Sequence, residues 1–306
     1  MLSVFAPCWW SSRVDFPRPS GDERARPAST PGSNWVLSEA ASMETELHLL
    51  DRGRIEADLN FALDGAVVAV RSDQSPELRY EEYAVWNLVI DHPEATILWD
   101  TGSHPEAGDG YWPAPAFEAF SHADADERDL ETALDEVGYT VDDIDAVVQS
   151  HLHLDHAGGL YNFEGTDVPI YVHRREIEHA FLSAKTPAGD DSYLPMDFDR
   201  DLDWAVIEGE RQLLPGIDLL ELPGHTPGLL GAHIQREGAD DVLICGDEAF
   251  LAPNYEEGRD MGASLLYDNR AWAESLRKLK EIERRTGARV IYGHDPDQFE
   301  RLYGSL

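Results

Sequence analysis

The pattern of hydrophobic and polar positions changes near residue 45 of the chain. Residues 1–43 are rich in proline, serine, glycine and arginine and show neither helical nor strand periodicity, which is typical of a disordered extension. A translation start at Met43 would account for the same change in pattern. From Thr45 onward, short apolar runs alternate with polar turns. This alternation predicts one folded domain over residues 44–306.

Apolar runs bounded by turn residues predict a series of strands in the folded part. The predicted strands cover residues 66–70, 85–90, 96–99, 145–149, 169–173, 219–222, 231–235, 242–245 and 289–292. Apolar positions spaced three and four residues apart predict helices over 127–137, 174–183 and 271–285. These elements indicate an α/β protein in which two sheets pack face to face with helices outside.

Composition and charge narrow the class of partners. Of the 306 residues, 42% are hydrophobic, which is enough for a large core. The formal net charge is -36, from 60 acidic against 24 basic residues. No cluster of lysine and arginine offers the basic surface that nucleic acids or anionic membranes need, so we expect neither as a partner. Salt screens the self-repulsion of so acidic a protein, and we therefore expect a halophilic protein from a high-salt cytoplasm.

The cysteines and the apolar runs favour an intracellular location. Cys8 and Cys245 are the two cysteines, and their separation indicates no disulfide framework, which fits a reducing compartment. No apolar run approaches the length of a membrane span, and the first residues lack the pattern of a signal peptide. We expect a cytoplasmic protein that acts on a small molecule, and the sequence leaves open whether it is a monomer or a dimer.

The strongest chemical signal is the segment H-L-H-L-D-H at residues 151–156. Histidine is the commonest ligand for transition metals, and carboxylate oxygens complete such sites. Because side chains alternate along an extended strand, His151 and His153 should project from the same face toward a single ion. Asp155 and His156 should then turn toward a second position. The segment therefore predicts a metal site.

Three further residues of the ligand type follow predicted strands. His225 lies in the turn P-G-H-T-P-G, Asp247 in C-G-D and His294 in G-H-D. An aspartate after a strand is usually a turn residue when it stands alone. Together with segment 151–156, however, the three residues indicate a site on loops at one edge of the fold. Cys245 is expected to be a small buried strand residue and not a ligand.

In these motifs, from about residue 84 to residue 300, the sequence resembles the metallo-β-lactamase superfamily. The resemblance implies an αββα sandwich of two mixed β-sheets flanked by helices, with metals at its edge. It implies a ligand set for two ions: His151, His153 and His225 for the first metal, Asp155, His156 and His294 for the second, and Asp247 bridging both. It also implies that the element Asp100-Thr101-Gly102 orients one of these ligands from outside the site.

The resemblance implies a hydrolase that depends on two divalent cations. Zn²⁺ is the default for a histidine and carboxylate set, and Mn²⁺, Fe²⁺ and Co²⁺ fit similar ligands. In such enzymes a hydroxide shared by the two metals attacks a polarised carbonyl group. Asp155 is expected to pass a proton to the leaving group. Asp155 and Asp247 are therefore the candidate catalytic residues.

Within the superfamily, the motifs are most similar to N-acyl homoserine lactonases, which implies opening of a lactone ring. Those lactonases carry a tyrosine three residues after the bridging aspartate, where this chain has Phe250, and Tyr255 or Tyr267 would have to supply its hydroxyl. We expect loops 186–203 and 62–83 to line an acyl pocket. The alternatives are a glyoxalase II-like thioester hydrolase, another esterase of this fold and, more remotely, a non-catalytic metal-binding protein.

Overall fold

Two sheets with helices outside, as the pattern of strands predicts, are present in a computed structural model that describes residues 45–186 and 192–306. The predicted extension over 1–43 lies outside the described residues. The strands are β1 (Glu46–Asp58), β2 (Tyr80–His92), β3 (Ala95–Trp99), β4 (Phe120–Ser121), β5 (Ala146–Val148), β6 (Ile170–His173), β7 (Trp204–Ile207), β8 (Arg211–Leu214), β9 (Ile217–Glu221), β10 (Leu230–Ile234), β11 (Val242–Gly246) and β12 (Arg289–Tyr292).

Both sheets are mixed. Within the described residues, one sheet has seven strands in the order β4-β1-β2-β3-β5-β6-β7, and the other has five in the order β12-β11-β10-β9-β8. In the first sheet, β1, β2 and β3 pair antiparallel, whereas β3, β5, β6 and β7 pair in parallel. In the second sheet only β11 and β12 are parallel.

Helices cover the sheets and supply their outer layers. The helices are α1 (Leu59–Ala62), α2 (Ala114–Ala119), α3 (Leu130–Glu136), α4 (Leu154–Ala157), α5 (Arg174–Ala184), α6 (Pro195–Phe198), α7 (Ala252–Glu256), α8 (Asn269–Thr286) and α9 (Pro296–Leu302). None of the helices in the described part of the chain combines the length and the apolar character that a bilayer span requires.

The longest helix, α8, shows how sequence produces this packing. Asp268 caps its first turn by accepting hydrogen bonds from two backbone amides, and Gly287 ends it in a left-handed conformation with φ 74°. The apolar positions that predict the helix, including Trp272 and Leu279, are buried in one cluster with Leu243 of β11. Burying one such side chain contributes about 1.5–3 kcal/mol, so this face fixes α8 on the second sheet.

The predicted strand at 66–70 is wrong. Within this stretch only Val70 forms an isolated bridge, to Asp73, and the side chains of Val68 and Val70 are 57% and 50% exposed. The apolar run has no neighbouring strand to pair with. The sequence pattern also missed β1, because charged residues interrupt it and a bulge between Asp51 and Arg54 shifts its alternation.

The candidate site residues lie on loops that follow the ends of strands. Asp100 directly follows β3, His151 lies just beyond β5, and His225 comes in the loop after β9. Asp247 and His294 follow β11 and β12, which are parallel neighbours. Side chains that follow parallel neighbouring strands emerge at the same edge of a sheet, so these residues are able to meet.

Candidate metal centre

The structure brings all seven predicted ligands into three overlapping groups. Within each group the candidate ligand atoms lie within 4.8 Å of one another. The groups are His151, His153 and His225; His151, His156 and Asp247; and Asp155, His156 and His294. The first and third groups are the two ligand sets that the resemblance implies for two separate ions.

The first group presents three imidazoles toward one point. The Nε2 atom of His225 lies 3.0 Å from Nδ1 of His153. The ring of His151 stands nearly perpendicular to both, at 80° and 88°. Its Nε2 atom is buried and has no hydrogen-bond partner among the described residues. Burying such a nitrogen without a partner is costly, and a bound cation would remove the cost, so the group fits a metal ion.

The third group, Asp155, His156 and His294, combines two imidazoles with one carboxylate. The Nε2 atoms of His156 and His294 lie 3.3 Å apart. Oδ2 of Asp155 is 3.6 Å from each of them. Nitrogen and carboxylate oxygen ligands at this spacing are typical of sites for zinc and similar divalent metals.

Asp247 lies between the first and third groups. Its Oδ1 is 3.4 Å from Nε2 of His156, and its Oδ2 is 3.2 Å from Nε2 of His294 and 3.5 Å from Nε2 of His225. The side chain is 2% exposed. One carboxylate therefore faces ligands of both groups, which is the position that a bridging residue requires.

The ionisation of Asp247 and His151 suits metal binding. Burial alone would raise the pKa of Asp247, but the imidazoles of His294 and His156 hold that pKa well below its ordinary value. Burial and the neighbouring His156 and His153 lower the pKa of His151 well below its ordinary value. An ionised carboxylate and a neutral imidazole are the forms that bind metals.

Four of the five candidate histidines make a contact at the ring nitrogen that does not face the cluster. These contacts orient the ring so that the remaining nitrogen points into the cluster. The contacts run from Nδ1 in every case: His151 to Oγ of Ser150 at 3.0 Å, His156 to Oδ2 of Asp100 at 3.0 Å, His225 to the carbonyl of Leu265 at 2.7 Å, and His294 to the carbonyl of Ala84 at 2.8 Å.

The element Asp100-Thr101-Gly102 contacts a candidate ligand, as expected. Besides facing His156, the Asp100 carboxylate accepts hydrogen bonds from the backbone amide and the hydroxyl of Ser150, both at 2.7 Å. Ser150 in turn touches His151. Asp100 is therefore linked to histidines of both groups.

Glu176, in the first turn of α5, is a supporting residue that the sequence did not reveal. Its buried carboxylate accepts hydrogen bonds from the amides of Leu152, at 3.0 Å, and Gly228, at 3.2 Å. These amides belong to the two loops that carry His151 and His225. A Cβ atom at Gly228 would lie 2.3 Å from the Glu176 backbone nitrogen, so glycine is needed for this approach. No short motif marks Glu176, because its partners are distant in the chain.

Other candidates do not join the cluster. His104 stacks on the ring of Tyr111, with centroids 3.6 Å apart. The thiol of Cys245 is buried and donates to the carbonyl of Ile291 at 2.7 Å, so it is a strand residue, as expected. The hydroxyl of Tyr255 donates to Glu283, and Tyr267 is 60% exposed.

An apolar cavity of about 230 Å³ opens beside the cluster. Its walls are Ile55, Pro115, Ala116, Ala119, Phe120, His153, Leu154, Asp155, Ser192, His225, Asp247, Phe250 and Leu265. Helix α2 forms one side, where residues 62–83 were expected. Among the described residues, segment 62–83 contributes nothing to this lining, and loop 186–203 contributes Ser192. The expected wall at 62–83 is therefore wrong, because Ala62 is held by Asn254 of α7, which donates to its carbonyl at 3.0 Å, and later side chains such as Val68 and Leu78 are exposed to solvent.

Comparison with known proteins defines the class. A family profile described as the metallo-beta-lactamase superfamily matches residues 81–294, which is more than half of the chain. The chain belongs to this superfamily, and the two mixed sheets flanked by helices are its fold. The predicted family, fold and class of metal-dependent hydrolase are thereby confirmed.

Relatives of the chain include N-acyl homoserine lactonases. The chain is 30% identical to AiiB of Agrobacterium fabrum (strain C58 / ATCC 33970) over 273 residues, which cover 86% of this chain and 98% of that protein. It is 31% identical to AiiA of Bacillus thuringiensis subsp. kurstaki over 217 residues, covering 70% and 82%. A solved N-acyl homoserine lactone hydrolase, with the product N-hexanoyl-L-homoserine bound at its catalytic metal center, superposes with a TM-score of 0.72 at 27% identity, covering 85% of this chain and 96% of that one.

Proposed function

We propose that this protein hydrolyses the ring ester of N-acyl homoserine lactones with two divalent cations. The first ion would be held by His151, His153 and His225 and the second by Asp155, His156 and His294, with Asp247 between them. The observation that carries the proposal is the convergence of these residues beside an apolar cavity. Relatives of about 30% identity that bear the name lactonase support the choice of substrate.

Different residues of the chain would hold the two ions and orient their ligands. Two divalent cations, when bound, supply Lewis acidity for the ester carbonyl and lower the pKa of a nearby water. Asp247, ionised and buried between the first and third groups, would offer its carboxylate to both ions. The outer contacts of the imidazoles, such as that of His156 with Asp100, prevent the rings from turning away.

Asp155 is the residue we propose for proton transfer. It lines the cavity, and its side chain is 13% exposed, so it lies at the boundary between the cluster and the substrate space. Hydrolysis adds the oxygen of water to the carbonyl carbon and breaks the bond to the ring oxygen. The proton that water loses must reach that leaving oxygen, and the carboxylate of Asp155 is placed to carry it.

The cavity suits the acyl part of such a substrate. Leu154, Phe250 and the small side chains of α2 give it an apolar lining, whereas Asp155 and Asp247 lie at its end near the cluster. An acyl chain would therefore exclude water from the lining while the ester group remained beside the carboxylates and imidazoles.

Several finer expectations belong to the same proposal. We propose Zn²⁺ as the native metal from the ligand chemistry, a domain over 44–306, and a cytoplasmic, halophilic protein from its net charge of -36. We also propose that the partners are small-molecule substrates and neither nucleic acid nor membrane, since the same charge opposes both.

A substrate panel on metal-loaded protein in high salt tests the proposal. The panel contains N-acyl homoserine lactones, simple γ- and δ-lactones, S-lactoylglutathione and nitrocefin, with products identified by the mass gain of one water. Elemental analysis of the same sample should find two ions per chain. Faster turnover of S-lactoylglutathione than of every lactone would overturn the proposed substrate, and an active protein without stoichiometric metal would overturn the mechanism.

A matched pair of variants tests the role of Asp155. Asp155→Asn should lower kcat about 10²–10⁴-fold at a metal content of two ions per chain, because the amide cannot carry the proton; the metal content is matched since Asp155 is also a proposed ligand of the second ion. Asp201→Asn makes the same chemical change at an exposed position outside the cluster and should leave kcat unchanged. Equal kcat in Asp155→Asn and wild type would remove Asp155 from the reaction.

A further inference from the structure

Arg52 is a buried cation whose side chain lies beneath the loop that carries Asp100. The residue is 1% exposed. Its guanidinium donates hydrogen bonds to uncharged oxygens: the carbonyl of Arg128 at 2.7 Å, Oδ1 of Asn87 at 2.5 Å, the carbonyl of Thr101 at 2.5 Å and the carbonyl of Ser103 at 3.3 Å. No carboxylate is among these acceptors. Burial of an arginine without a hydrogen-bonded carboxylate is costly, and its hydrogen bonds to these oxygens must offset that cost.

The same loop is held from its other side by α4. Thr101 donates two hydrogen bonds to the carbonyl of His156, from its amide and from its hydroxyl, both at 2.9 Å. The backbone approaches so closely that a Cβ atom at Gly158 would lie 2.2 Å from the amide nitrogen of His104. The loop is therefore enclosed between the Arg52 guanidinium and α4, the helix that bears Asp155 and His156 of the third group.

The conformation of Asp100 depends on this enclosure. Asp100 has a φ of 57° and is the non-glycine residue with positive φ in the described part of the chain. Such a backbone conformation is uncommon for a residue other than glycine, although aspartate adopts it more readily than most, and the hydrogen bonds around this loop hold it in place. In this conformation Oδ2 of Asp100 reaches Nδ1 of His156 at 3.0 Å.

We propose that Arg52 is a positioning residue of the metal centre. By holding the carbonyl oxygens of Thr101 and Ser103, it fixes Asp100 against His156 and so sets the affinity of the second ion site. His122 supports the same loop, because its Nδ1 lies 2.7 Å from Oγ of Ser103. The inference rests on the metal centre of the proposed function, but not on the identity of the substrate.

Arg52→Met and Arg52→Lys test this proposal. A methionine makes none of the four hydrogen bonds, and the ammonium of lysine lacks the planar fork that spans several carbonyls. Protein loaded with Zn²⁺ is titrated with a chelating dye, which gives the affinity of each ion. We expect Arg52→Met to weaken one of the two ions about 10–100-fold, as is typical when a contact that orients a ligand is lost, with a smaller effect in Arg52→Lys. The Co²⁺-loaded protein should show a changed absorption spectrum, because the geometry at His156 changes.

Two controls separate positioning from a general loss of stability. Arg54→Met removes a neighbouring arginine of β1 that pairs with Asp51 and does not touch the loop. Leu134→Ala destabilises α3 by removing a fully buried side chain. Both controls should bind the two ions as the wild type does. If Arg52→Met does not fold, Arg52→Lys and its spectrum decide.

The outcomes are distinct. Wild-type affinity for both ions in the Arg52 variants, or a loss of affinity no larger than that of Leu134→Ala, would overturn the positioning role. A wild-type protein that binds no Zn²⁺ would overturn the proposed metal centre itself, and the positioning role with it. A protein that binds two ions but hydrolyses no lactone would leave the role of Arg52 intact and overturn only the substrate.

Discussion

The ring of Phe250 stacks on the imidazole of His294, with centroids 4.1 Å apart and planes inclined by 29°. The same ring contacts Tyr83 edge-on and lines the apolar cavity. Phe250 therefore contacts a proposed metal ligand and also lines the apolar cavity that we propose for the substrate. Phe250 has no hydroxyl, whereas the resemblance to N-acyl homoserine lactonases implies a tyrosine at this position.

Phe250→Tyr should improve the binding of lactones. The new hydroxyl would enter the cavity, and a buried hydroxyl without a partner costs about 1–3 kcal/mol. A substrate carbonyl would supply that partner, so KM for N-acyl homoserine lactones should fall several-fold while the metal content stays at the wild-type value. The measurement is steady-state kinetics with elemental analysis. Phe181→Tyr, which adds a hydroxyl away from the cavity, is the control, and an unchanged or higher KM in Phe250→Tyr would contradict the argument.

The convergence of the candidate metal ligands was predictable because the chain itself carries their spacing. Residues 151–156 place four ligand side chains in one short segment, and His225, Asp247 and His294 each follow an apolar strand. The partners that hold these residues were not predictable in the same way. Glu176 and Arg52 act on loops that lie far from them in sequence, and neither belongs to a short motif. Only the tertiary structure shows which amides and carbonyls they meet.

The fold was predictable where strands are apolar and was missed where charge interrupts them. Strand β12 was predicted with its observed bounds, since the apolar run 290–292 comes directly before a glycine. Strand β1 carries Arg52, Arg54 and Glu56 along its length, and its bulge moves the buried positions from one face to the other. The apolar run at 66–70 shows the opposite case, in which a strand-like sequence finds no partner.

Ala119→Phe should reduce turnover of long-chain substrates selectively. Ala119 ends α2 and lines the apolar cavity, so a phenyl ring at this position would fill space that an acyl chain needs. We expect kcat/KM for a ten-carbon acyl chain to fall about tenfold more than for a four-carbon chain, which corresponds to about 1.4 kcal/mol of lost binding. The measurement is kcat/KM across a series of chain lengths. An equal loss for all lengths would show that this cavity does not hold the acyl chain.

Asp197→Asn should stabilise the protein above neutral pH. Burial raises the pKa of Asp197 to about 7, although the hydroxyl of Tyr111 and the charge of Arg200 oppose the rise. Between about pH 4 and pH 7, the folded protein holds a proton on this group that the unfolded chain has lost, so its contribution to stability is full below pH 4, declines as pH rises and is constant above pH 7. Asparagine keeps an acceptor for Tyr111 without the charge. The gain should be on the order of a few kcal/mol at pH 8 and close to zero at pH 4.

Urea unfolding at pH 5 and pH 8 measures this difference. Asp199→Asn is the control, since that residue lies two positions further along the chain, on the surface, and pairs with Lys185 at 3.3 Å. A gain of the same size at both pH values would show that the effect of Asp197→Asn comes from packing and not from the charge.

Salt should stabilise the protein by screening its own charge. Arginine and lysine are too few to neutralise a net charge of -36, and acidic side chains such as Glu131 and Asp135 lie exposed four residues apart on α3. Like charges at this spacing repel, and the screening length falls from about 10 Å at 0.1 M salt to about 3 Å at 1 M. The Tm should therefore rise steeply with KCl up to about 1 M and then level off. Glu131→Gln removes one of the repelling charges, so its Tm should depend less on KCl over the same range. A Tm that is constant across this range would rule out the halophilic interpretation, and a rise that continues unchanged far above 1 M would attribute the effect to hydration and not to screening.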